Sequence, residues 1–363
     1  MLAAAMAAEK GHAVTLIEKN EKLGKKLFIT GKGRCNITNA AELEVFFKNI
    51  PRNPKFLYSA LYGFSNEDVI SLLQRMGVPT KTERGGRVFP TSDKSSDVIR
   101  AFATYVKQAG VEVRLNTEVE SVTHTEQGGF LLRLNAGEAL RVDALILATG
   151  GASYPSTGST GDGYRFARAL GHTVTEIQAA LIPFETEEEW PKTLSGLSLR
   201  NVTLRAYSTK GKLVFEELGE MLFTHFGVSG PLVLSASSFL TGNPAGAKLN
   251  IDLKPGLSQE ELDRRLLRDF DSNIRRQFVH SLDALLPKRL IPVLVAQSGI
   301  PAETPVHQIT REQRLGLVSC LKALPLTVKC ALPVEQAIIT RGGVSVKEVN
   351  PSTMESKLLP GLY

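Results

Sequence analysis

The first 18 residues of the chain have the pattern of half a nucleotide-binding unit. Residues 1–10 are rich in Ala and Met, which favours a helix, and Gly11 is suited to end it. Residues 13–17 form a short apolar, β-branched run that ends on Glu18. Helix, tight turn, buried strand and acidic residue make up the second half of a dinucleotide-binding βαβ unit. This order predicts an α/β domain.

The expected glycine-rich turn of such a unit is not in the sequence. It should lie about 20 residues before the acidic residue. Counting back from Glu18 places it at or just before Met1. At the other end, residues 360–363 look like the start of another strand. We therefore expect the sequence to be truncated at both ends within one domain.

The composition is that of a soluble globular protein of two to three domains. The chain has 363 residues, of which 42% are hydrophobic and 22% are charged, so disorder is excluded as its main state. No apolar run approaches the ~20 residues of a membrane span, and no membrane partner is expected. Cys35, Cys320 and Cys330 lack metal-ligand spacing, which argues against a disulfide framework or a zinc site and fits a reducing, cytoplasmic compartment.

The positive charge is concentrated near the N-terminus. Residues 1–60 hold ten Lys or Arg and five Glu, a net charge of +5 out of +6 for the whole chain. Such a local field favours an anionic ligand, either a nucleotide pyrophosphate or a nucleic acid. A solvated basic face is the alternative interpretation.

The residue patterns change along the chain from mixed helices and strands to short alternating runs, then to helices, and finally back to strands and glycines. The first and last segments read as parts of one α/β domain, with a small β subdomain and a helical subdomain inserted. Ser65 with Asp68, and Ser258 with Glu261, have the spacing of capping boxes that begin helices. The predicted segments are, in order, residues 1–180, 181–256, 257–330 and 331–363.

A basic loop that contains glycines follows the acidic residue. Gly31 and Gly33 would let the backbone approach a flat or anionic ligand closely, and Arg34 adds a fixed fork of hydrogen-bond donors. The residue order is not that of a Walker loop. Cys35 has no partner cysteine nearby, so a small buried residue beside a cofactor is the favoured interpretation over a redox thiol. A tight turn on a basic loop is the alternative.

A second apolar run ends in small residues. Residues 144–148 predict a buried strand that continues into Thr-Gly-Gly at 149–151, where a cofactor could meet the end of the strand. Gly158, Gly161 and Gly163 then precede a predicted helix. They indicate either a contact with an anion or flavin at the start of that helix or a flexible turn.

One histidine lies in a glycine-containing apolar segment. Residues 222–231 resemble a hydrolase nucleophile elbow, but Pro231 stands where G-x-S-x-G needs glycine. His225 in this segment is a candidate proton donor, with a structural role as the alternative. The other five histidines show no metal-ligand spacing.

Longer motifs occur in order along the whole chain. The runs are residues 18–26, 31–39, 87–90, 148–155, 158–163, 222–231, 340–344 and 353–357. Together they resemble the BaiN/YhiN-like FAD/NAD(P)-dependent oxidoreductases, which include aminoacetone-oxidase-like members. The resemblance implies a discontinuous FAD/NAD(P)-binding Rossmann-like domain with an inserted β-barrel and a helical subdomain.

The resemblance also implies FAD as cofactor and NAD(P)H as electron donor. It places Glu18 on the ribose, residues 31–36 on the pyrophosphate and flavin side, the backbone of Val119 on the adenine, and Gly342 and Gly343 near the flavin ring. The implied cofactor-binding residues are Glu18, Lys19, Lys26, Gly31, Gly33, Arg34, Cys35, Asn36, Val119, Ala148, Thr149, Gly150, Gly151, Tyr154, Gly342 and Gly343.

We expect reduction of a polarised C=C or C=N bond in a small-molecule substrate. His225 or a bound water would supply the proton, and Arg34 or the Gly342–Gly343 backbone would stabilise negative charge on the flavin. Three alternatives stay open. These are an oxygen-dependent flavin amine oxidase, a ribosomal RNA uridine reductase (a dihydrouridine synthase) with RNA as partner, and an inactive, truncated nucleotide-binding remnant.

Overall fold

The computed structural model describes residues 1–240 and 242–363. They form two compact units, one made of Met1–Ile177 with Gly342–Tyr363 and the other of Gln178–Arg341. The first unit is therefore discontinuous in sequence, as the Rossmann-like prediction requires. The residue boundaries of the four predicted segments stay a prediction.

The first unit combines helices with small sheets. It contains a parallel strand pair, β1-β5, and two antiparallel sheets of order β2-β4-β3 and β6-β7-β8. Its elements are α1 (Leu2–Glu9), β1 (Thr15–Ile17), α2 (Lys25–Ile29), β2 (Thr38–Asn39), α3 (Leu43–Lys48), α4 (Tyr58–Gly63), α5 (Asn66–Arg75), β3 (Thr80–Thr82), β4 (Arg87–Pro90), α6 (Ser95–Gln108), β5 (Glu112–Arg114), β6 (Val119–His124), β7 (Phe130–Leu134), β8 (Ala139–Val142) and α7 (Asp162–Ala169).

The predicted N-terminal helix and strand are both present. Ala4 and Ala5 are buried in a cluster that α1 forms with α6, because their small side chains allow close helix packing. Gly11 has φ +90°, a conformation that glycine adopts without steric cost and that turns the chain after the helix. Leu16 of β1 then lies opposite Val113 of β5 in a parallel pair. This is the α/β arrangement that the opening pattern predicts.

The predicted buried strand at residues 144–148 is wrong, because the segment forms one isolated parallel bridge, from Leu145 to Leu362, and its residues 144, 146 and 148 are exposed. The segment is extended, and the backbone N–H groups of Leu145 and Leu147 donate to carbonyls of the last three residues over 2.8 Å. Leu145 and Leu147 pack on an apolar cluster, whereas Ile146 is 48% exposed. Alternate side chains of an extended chain point to opposite faces, and only one face is covered here.

The second unit contains a closed β-barrel and helices. The strand order around the barrel is β10-β13-β12-β11-β14-β15, and β9 pairs with β16. The elements are β9 (Gln178–Ala180), β10 (Phe184–Thr186), α8 (Trp190–Thr193), β11 (Ser198–Tyr207), β12 (Leu213–Phe223), β13 (Gly227–Ser229), α9 (Pro231–Phe239), β14 (Lys248–Asp252), α10 (Gln259–Asp271), α11 (Phe278–Ser281), α12 (Ile291–Ser298), α13 (Arg311–Lys322), β15 (Leu324–Ala331) and β16 (Ile339–Arg341).

One large apolar core joins the barrel and the helices of the second unit. Phe184, Leu204 and Phe223 of the barrel and Leu262 of α10 are buried members of this core. The predicted β-barrel is thereby confirmed, and its last strand, β15, follows the helices in sequence. Among the described residues, no helix has the length and apolar character needed to cross a membrane.

Candidate functional site

A glycine-rich loop, defined as residues 149–163, continues into the first residues of α7 in the first unit. The backbone N–H of Gly161 donates to the carbonyl of Gly151 over 3.1 Å, which closes the loop on itself. A Cβ on Gly163 would lie 2.3 Å from Oγ1 of Thr149, so a larger residue there would require the Thr149 side chain to move. The loop is thus a defined structure, which disfavours the flexible-turn interpretation.

Two lysines attach the segment after β1 to the glycine-rich loop. Nζ of Lys19 lies 2.6 Å from Oδ2 of Asp162. Nζ of Lys26 donates to the Ser153 carbonyl over 3.0 Å and lies 4.6 Å from the ring centre of Tyr154. Burial lowers the pKa of Lys26. The structure therefore brings the predicted residues Lys19, Lys26 and Tyr154 together.

Glu18 is held in place by a neighbouring asparagine. Its Oε1 accepts hydrogen bonds from the backbone N–H of Asn20 at 2.9 Å and from Asn20 Nδ2 at 2.8 Å. Asn20 Nδ2 also donates to the carbonyl of Thr157 in the glycine-rich loop over 3.1 Å. In residues 1–240 and 242–363, Oε2 of Glu18 has no hydrogen-bond partner. That oxygen is available to accept from a ribose hydroxyl, as predicted for this position.

The basic loop after α2 has an unusual backbone. Gly31, Lys32, Gly33 and Cys35 all have positive φ, between +58° and +85°. Cys35 is fully buried, and burial raises the pKa of its thiol against the opposing hydrogen bond from Thr30. A neutral buried thiol fits the packing role over the redox role. The loop is therefore anchored by Cys35.

Arg34 is engaged by two carboxylates. Its guanidinium donates to Glu83 and, through Nε at 2.8 Å, to Oδ1 of Asp93. It also lies 4.2 Å from the ring centre of Phe89. Lys81 binds the other oxygen of Asp93. These contacts hold the loop against β3 and β4, while the role of Arg34 toward a cofactor or substrate stays a prediction.

The ion pairs of Arg34 and Lys81 with Glu83 and Asp93 should make the free energy of unfolding depend on pH in the acid range. Hydrogen bonds from Lys81 and Arg34 hold the pKa of Asp93 below its ordinary 3.8. A carboxylate whose pKa is lower in the folded than in the unfolded state stabilises the fold at pH values above its unfolded-state pKa. This contribution disappears as the pH falls through the folded-state pKa. We expect Asp93→Asn to lower the melting temperature at neutral pH, with the gap closing well below pH 3.8.

Asp97→Asn is the matched control for this measurement. In the part of the chain that the structure describes, the ion pair of Asp97 is a long one, with 3.7 Å between its Oδ1 and the guanidinium of Arg100. Melting curves of the three proteins across the acid range give the comparison. A gap between wild type and Asp93→Asn that stays constant down to the lowest pH would contradict the prediction.

Gly342 and Gly343 belong to the first unit. Gly343 lies beside Tyr164, in the first turn of α7, and Gly342 lies beside Glu176, which follows α7 in sequence. The carbonyl of Gly343 accepts from the Thr175 N–H over 2.8 Å. A Cβ on Gly343 would lie 3.3 Å from Cε1 of Tyr164, so the glycine backbone faces that ring. Burial raises the pKa of Tyr164 and keeps the phenol protonated. Of the two predicted flavin-side residues, Gly343 thus adjoins α7, while Gly342 adjoins the backbone of Glu176.

An apolar cluster lies beneath several predicted contacts. Ile17, Val119 and Leu147 all pack against the cluster that contains Phe130 and Phe166. The same apolar cluster therefore supports the positions next to Glu18 and Ala148 and the predicted adenine contact, Val119. Hydrophobic packing, rather than a direct polar contact, relates these three positions.

His225 lies in the second unit, in the tight turn between β12 and β13. The Thr224 N–H donates to the carbonyl of Gly227 over 2.8 Å to close this turn. The imidazole is exposed and stacks edge-on against Phe226, with ring centres 5.0 Å apart. A solvated imidazole of this kind can exchange protons, and its catalytic role stays a prediction.

The structure adds three residues that the sequence interpretation did not single out. Asn20 orients Glu18, Asp162 pairs with Lys19, and Tyr164 faces Gly343. Burial opposes ionisation of Asp162, but hydrogen bonds from Lys19 and Thr160 outweigh it and lower the pKa. The local signal for Asp162 was its position directly after Gly161, at the start of a predicted helix.

The described residues fit an FAD in the first unit. Ala148, Thr149 and Gly150 are exposed and small, and Asn36 is exposed at the end of the basic loop. Together with the unpartnered Oε2 of Glu18, they offer hydrogen-bond acceptors and open backbone, the groups by which a dinucleotide is bound. Within the part of the chain that the structure describes, no group of three or more His, Cys, Asp or Glu could hold a metal ion.

Comparison with known proteins finds relatives whose sequences align with almost the whole chain. An Escherichia coli protein named ribosomal RNA dihydrouridine synthase is 31% identical over 100% of this chain and 87% of its own length. A Clostridium scindens 3-dehydro-bile acid delta(4,6)-reductase is 29% identical over 99% of this chain and 88% of its own length. These relatives cover both units.

Solved structures are more distant. A quinol-fumarate reductase matches 99% of this chain and 61% of its own at 14% identity, with a TM-score of 0.44. At that score the likeness carries no functional inference. The family assignment is much stronger, because the HI0933-like protein Rossmann domain matches residues 1–363. The chain therefore belongs to the HI0933-like Rossmann family, the family of the BaiN/YhiN-like FAD-dependent oxidoreductases that its motifs resemble.

Proposed function

We propose that the protein is an FAD-dependent reductase that uses NAD(P)H to saturate a polarised C=C or C=N bond. The observation that carries the proposal is the family match over all 363 residues. The names of two relatives, a dihydrouridine synthase and a delta(4,6)-reductase, both denote addition of hydrogen, which supports reduction over oxidation. A small molecule is the proposed substrate.

The residues of the first unit have distinct proposed roles. Oε2 of Glu18 accepts hydrogen bonds from a ribose diol, and Asn20 fixes the carboxylate for that purpose. The backbone of residues 31–36 approaches the pyrophosphate, with Cys35 as its anchor. Bound FAD would supply the hydride chemistry, while the protein supplies orientation and electrostatics.

Proton delivery is assigned to His225 as a proposal. Its imidazole is exposed, so it can take a proton from solvent and donate it to a substrate. The Gly342–Gly343 backbone and Arg34 are the proposed stabilisers of negative charge. Of these, Arg34 is already compensated by Glu83 and Asp93, so the glycine backbone is the favoured stabiliser.

A second candidate function is reduction of a uridine in RNA. Two relatives, from Escherichia coli and Haemophilus influenzae, carry the name ribosomal RNA dihydrouridine synthase at 31% and 30% identity. The +5 charge of residues 1–60 supports this candidate, since phosphate contacts require Lys and Arg. Under this candidate the double bond belongs to a pyrimidine ring.

Anaerobic spectroscopy tests the reductase proposal. Purified protein supplied with FAD should show the bands of bound flavin, and NADH or NADPH should bleach them. The colour should return on addition of an enone, an imine or a uridine-containing RNA under anaerobic conditions. If amines bleach the flavin, NAD(P)H does not, and peroxide forms in air, the protein is an amine oxidase and the proposal fails.

A further inference from the structure

An exposed aromatic cluster occupies the surface of α3 and α4. The rings of Phe47 and Tyr58 have centres 4.2 Å apart, those of Phe47 and Tyr62 5.9 Å, and those of Tyr58 and Tyr62 6.3 Å. Tyr58 is 41% exposed and Tyr62 is 62% exposed. Two exposed tyrosines beside a half-buried phenylalanine form an aromatic patch, and a patch of adjoining rings at the surface requires an explanation.

The part of this segment that follows Glu44 of α3 carries only basic charges. Residues 45–63 contain Lys48, Arg52 and Lys55 and no Asp or Glu. All three side chains belong to exposed residues, and none has an ion-pair partner in the described ranges 1–240 and 242–363. By contrast, Arg34 and Lys81 in the same unit are paired with carboxylates. The cluster therefore combines flat apolar faces with uncompensated positive charge.

Unstacked bases on a phosphate backbone have the complementary chemistry. Every base offers a π-face that stacks on an aromatic side chain, and each phosphate offers a negative charge to Lys or Arg. A protein partner would need apolar side chains for the rings and several acids for the cations. A membrane would need a continuous apolar helix face, whereas α4 has only six residues.

We propose that this surface, the aromatic–basic platform, binds single-stranded RNA. It is defined by Phe47, Tyr58, Tyr62, Lys48, Arg52 and Lys55. The choice of RNA as occupant rests on the second candidate function, the reduction of a uridine in RNA. Ser59 of α4, beside the platform, has its Oγ 3.5 Å from Oγ of Ser352, nine residues after Gly343 in sequence.

Fluorescence anisotropy of the whole protein with a labelled, unstructured uridine-rich RNA tests the platform. Tyr58→Ala with Tyr62→Ala should weaken binding roughly tenfold or more, since two stacking faces are lost. Lys48→Gln, Arg52→Gln and Lys55→Gln together should lower the slope of log affinity against log salt by about 2. The assay requires neither flavin nor NAD(P)H, so failure of the reductase proposal would leave its result intact.

Matched variants separate the platform from general effects. Tyr58→Phe with Tyr62→Phe keeps the rings and should bind as wild type does. Lys107→Gln, Lys210→Gln and Lys212→Gln remove three exposed cations elsewhere and should leave the salt slope unchanged. Unchanged binding by the double alanine variant overturns the proposal, as does equal affinity for duplex RNA. Equal affinity for single-stranded DNA of the same sequence overturns the assignment to RNA.

Discussion

Gly342→Ala is expected to destabilise the first unit severely. Gly342 has φ +91°, and a Cβ at this position would lie 2.1 Å from the backbone carbonyl oxygen of Glu176. No side-chain rotation relieves such a clash, so the backbone at Gly342 or at Glu176 must move. Left-handed strain and overpacking each cost roughly 1–3 kcal/mol, which gives about 2–6 kcal/mol together. For a unit of this size, the melting temperature should fall by about 10 °C.

Gly171→Ala is the matched control. Gly171 belongs to the same unit and has φ +89°, but a Cβ there meets nothing within 4 Å. The two variants share the conformational cost and differ in the clash, so Gly171→Ala should lose only the roughly 1–3 kcal/mol of left-handed strain. Thermal unfolding followed by far-ultraviolet circular dichroism compares them. Equal melting temperatures for the two variants would show that the Gly342 contact does not constrain the fold.

Local patterns in the sequence were the most predictive of local structure. The capping boxes at Ser65 and Ser258 are both present, with reciprocal side-chain and backbone hydrogen bonds at the starts of α5 and α10. A capping box needs only four consecutive residues, so its signal is complete within the sequence. The same holds for the helix that ends near Gly11, and these elements required no knowledge of distant contacts.

Contacts between distant residues were beyond the sequence patterns. Arg34 pairs with Glu83 and Asp93, and Lys19 pairs with Asp162, yet nothing in the spacing of these residues indicates a partner. The exposure of Ile146 is another case, because an apolar run does not reveal which of its faces is covered. The motifs thus predict which residues belong to the candidate site, whereas the ion pairs that support it are known only from the three-dimensional structure.

The proposed ribose contact of Glu18 gives the largest expected effect on cofactor binding. Glu18→Gln keeps an oxygen that can accept from Asn20 but removes the negative charge from the free side of the group. Charge-assisted hydrogen bonds are about twice as strong as neutral ones. Two bonds to a ribose diol should lose roughly 2–3 kcal/mol together, which is about a 30- to 150-fold rise in the Kd for FAD.

Fluorescence titration of the flavin-free protein with FAD measures this change. Glu21→Gln is the control, since Glu21 lies in the same segment and its pairing with Lys25 at 2.7 Å is exposed. The neutralised charge is the same in both variants, but Glu21→Gln should stay within about twofold of wild type, as surface ion pairs contribute little. Comparable losses in both variants would indicate a general effect of charge on FAD binding.

An FAD analogue that lacks the 2′-hydroxyl of the adenosine ribose resolves the contact itself. If the carboxylate of Glu18 binds the ribose diol, wild type should bind the analogue much more weakly than FAD. Glu18→Gln should bind both with nearly equal affinity, because the partner of that hydroxyl is already weakened. If Glu18→Gln discriminates between FAD and the analogue as strongly as wild type does, the ribose does not bind to Glu18. The proposed role of Asn20, which is to orient Glu18 for the ribose, would then also be wrong.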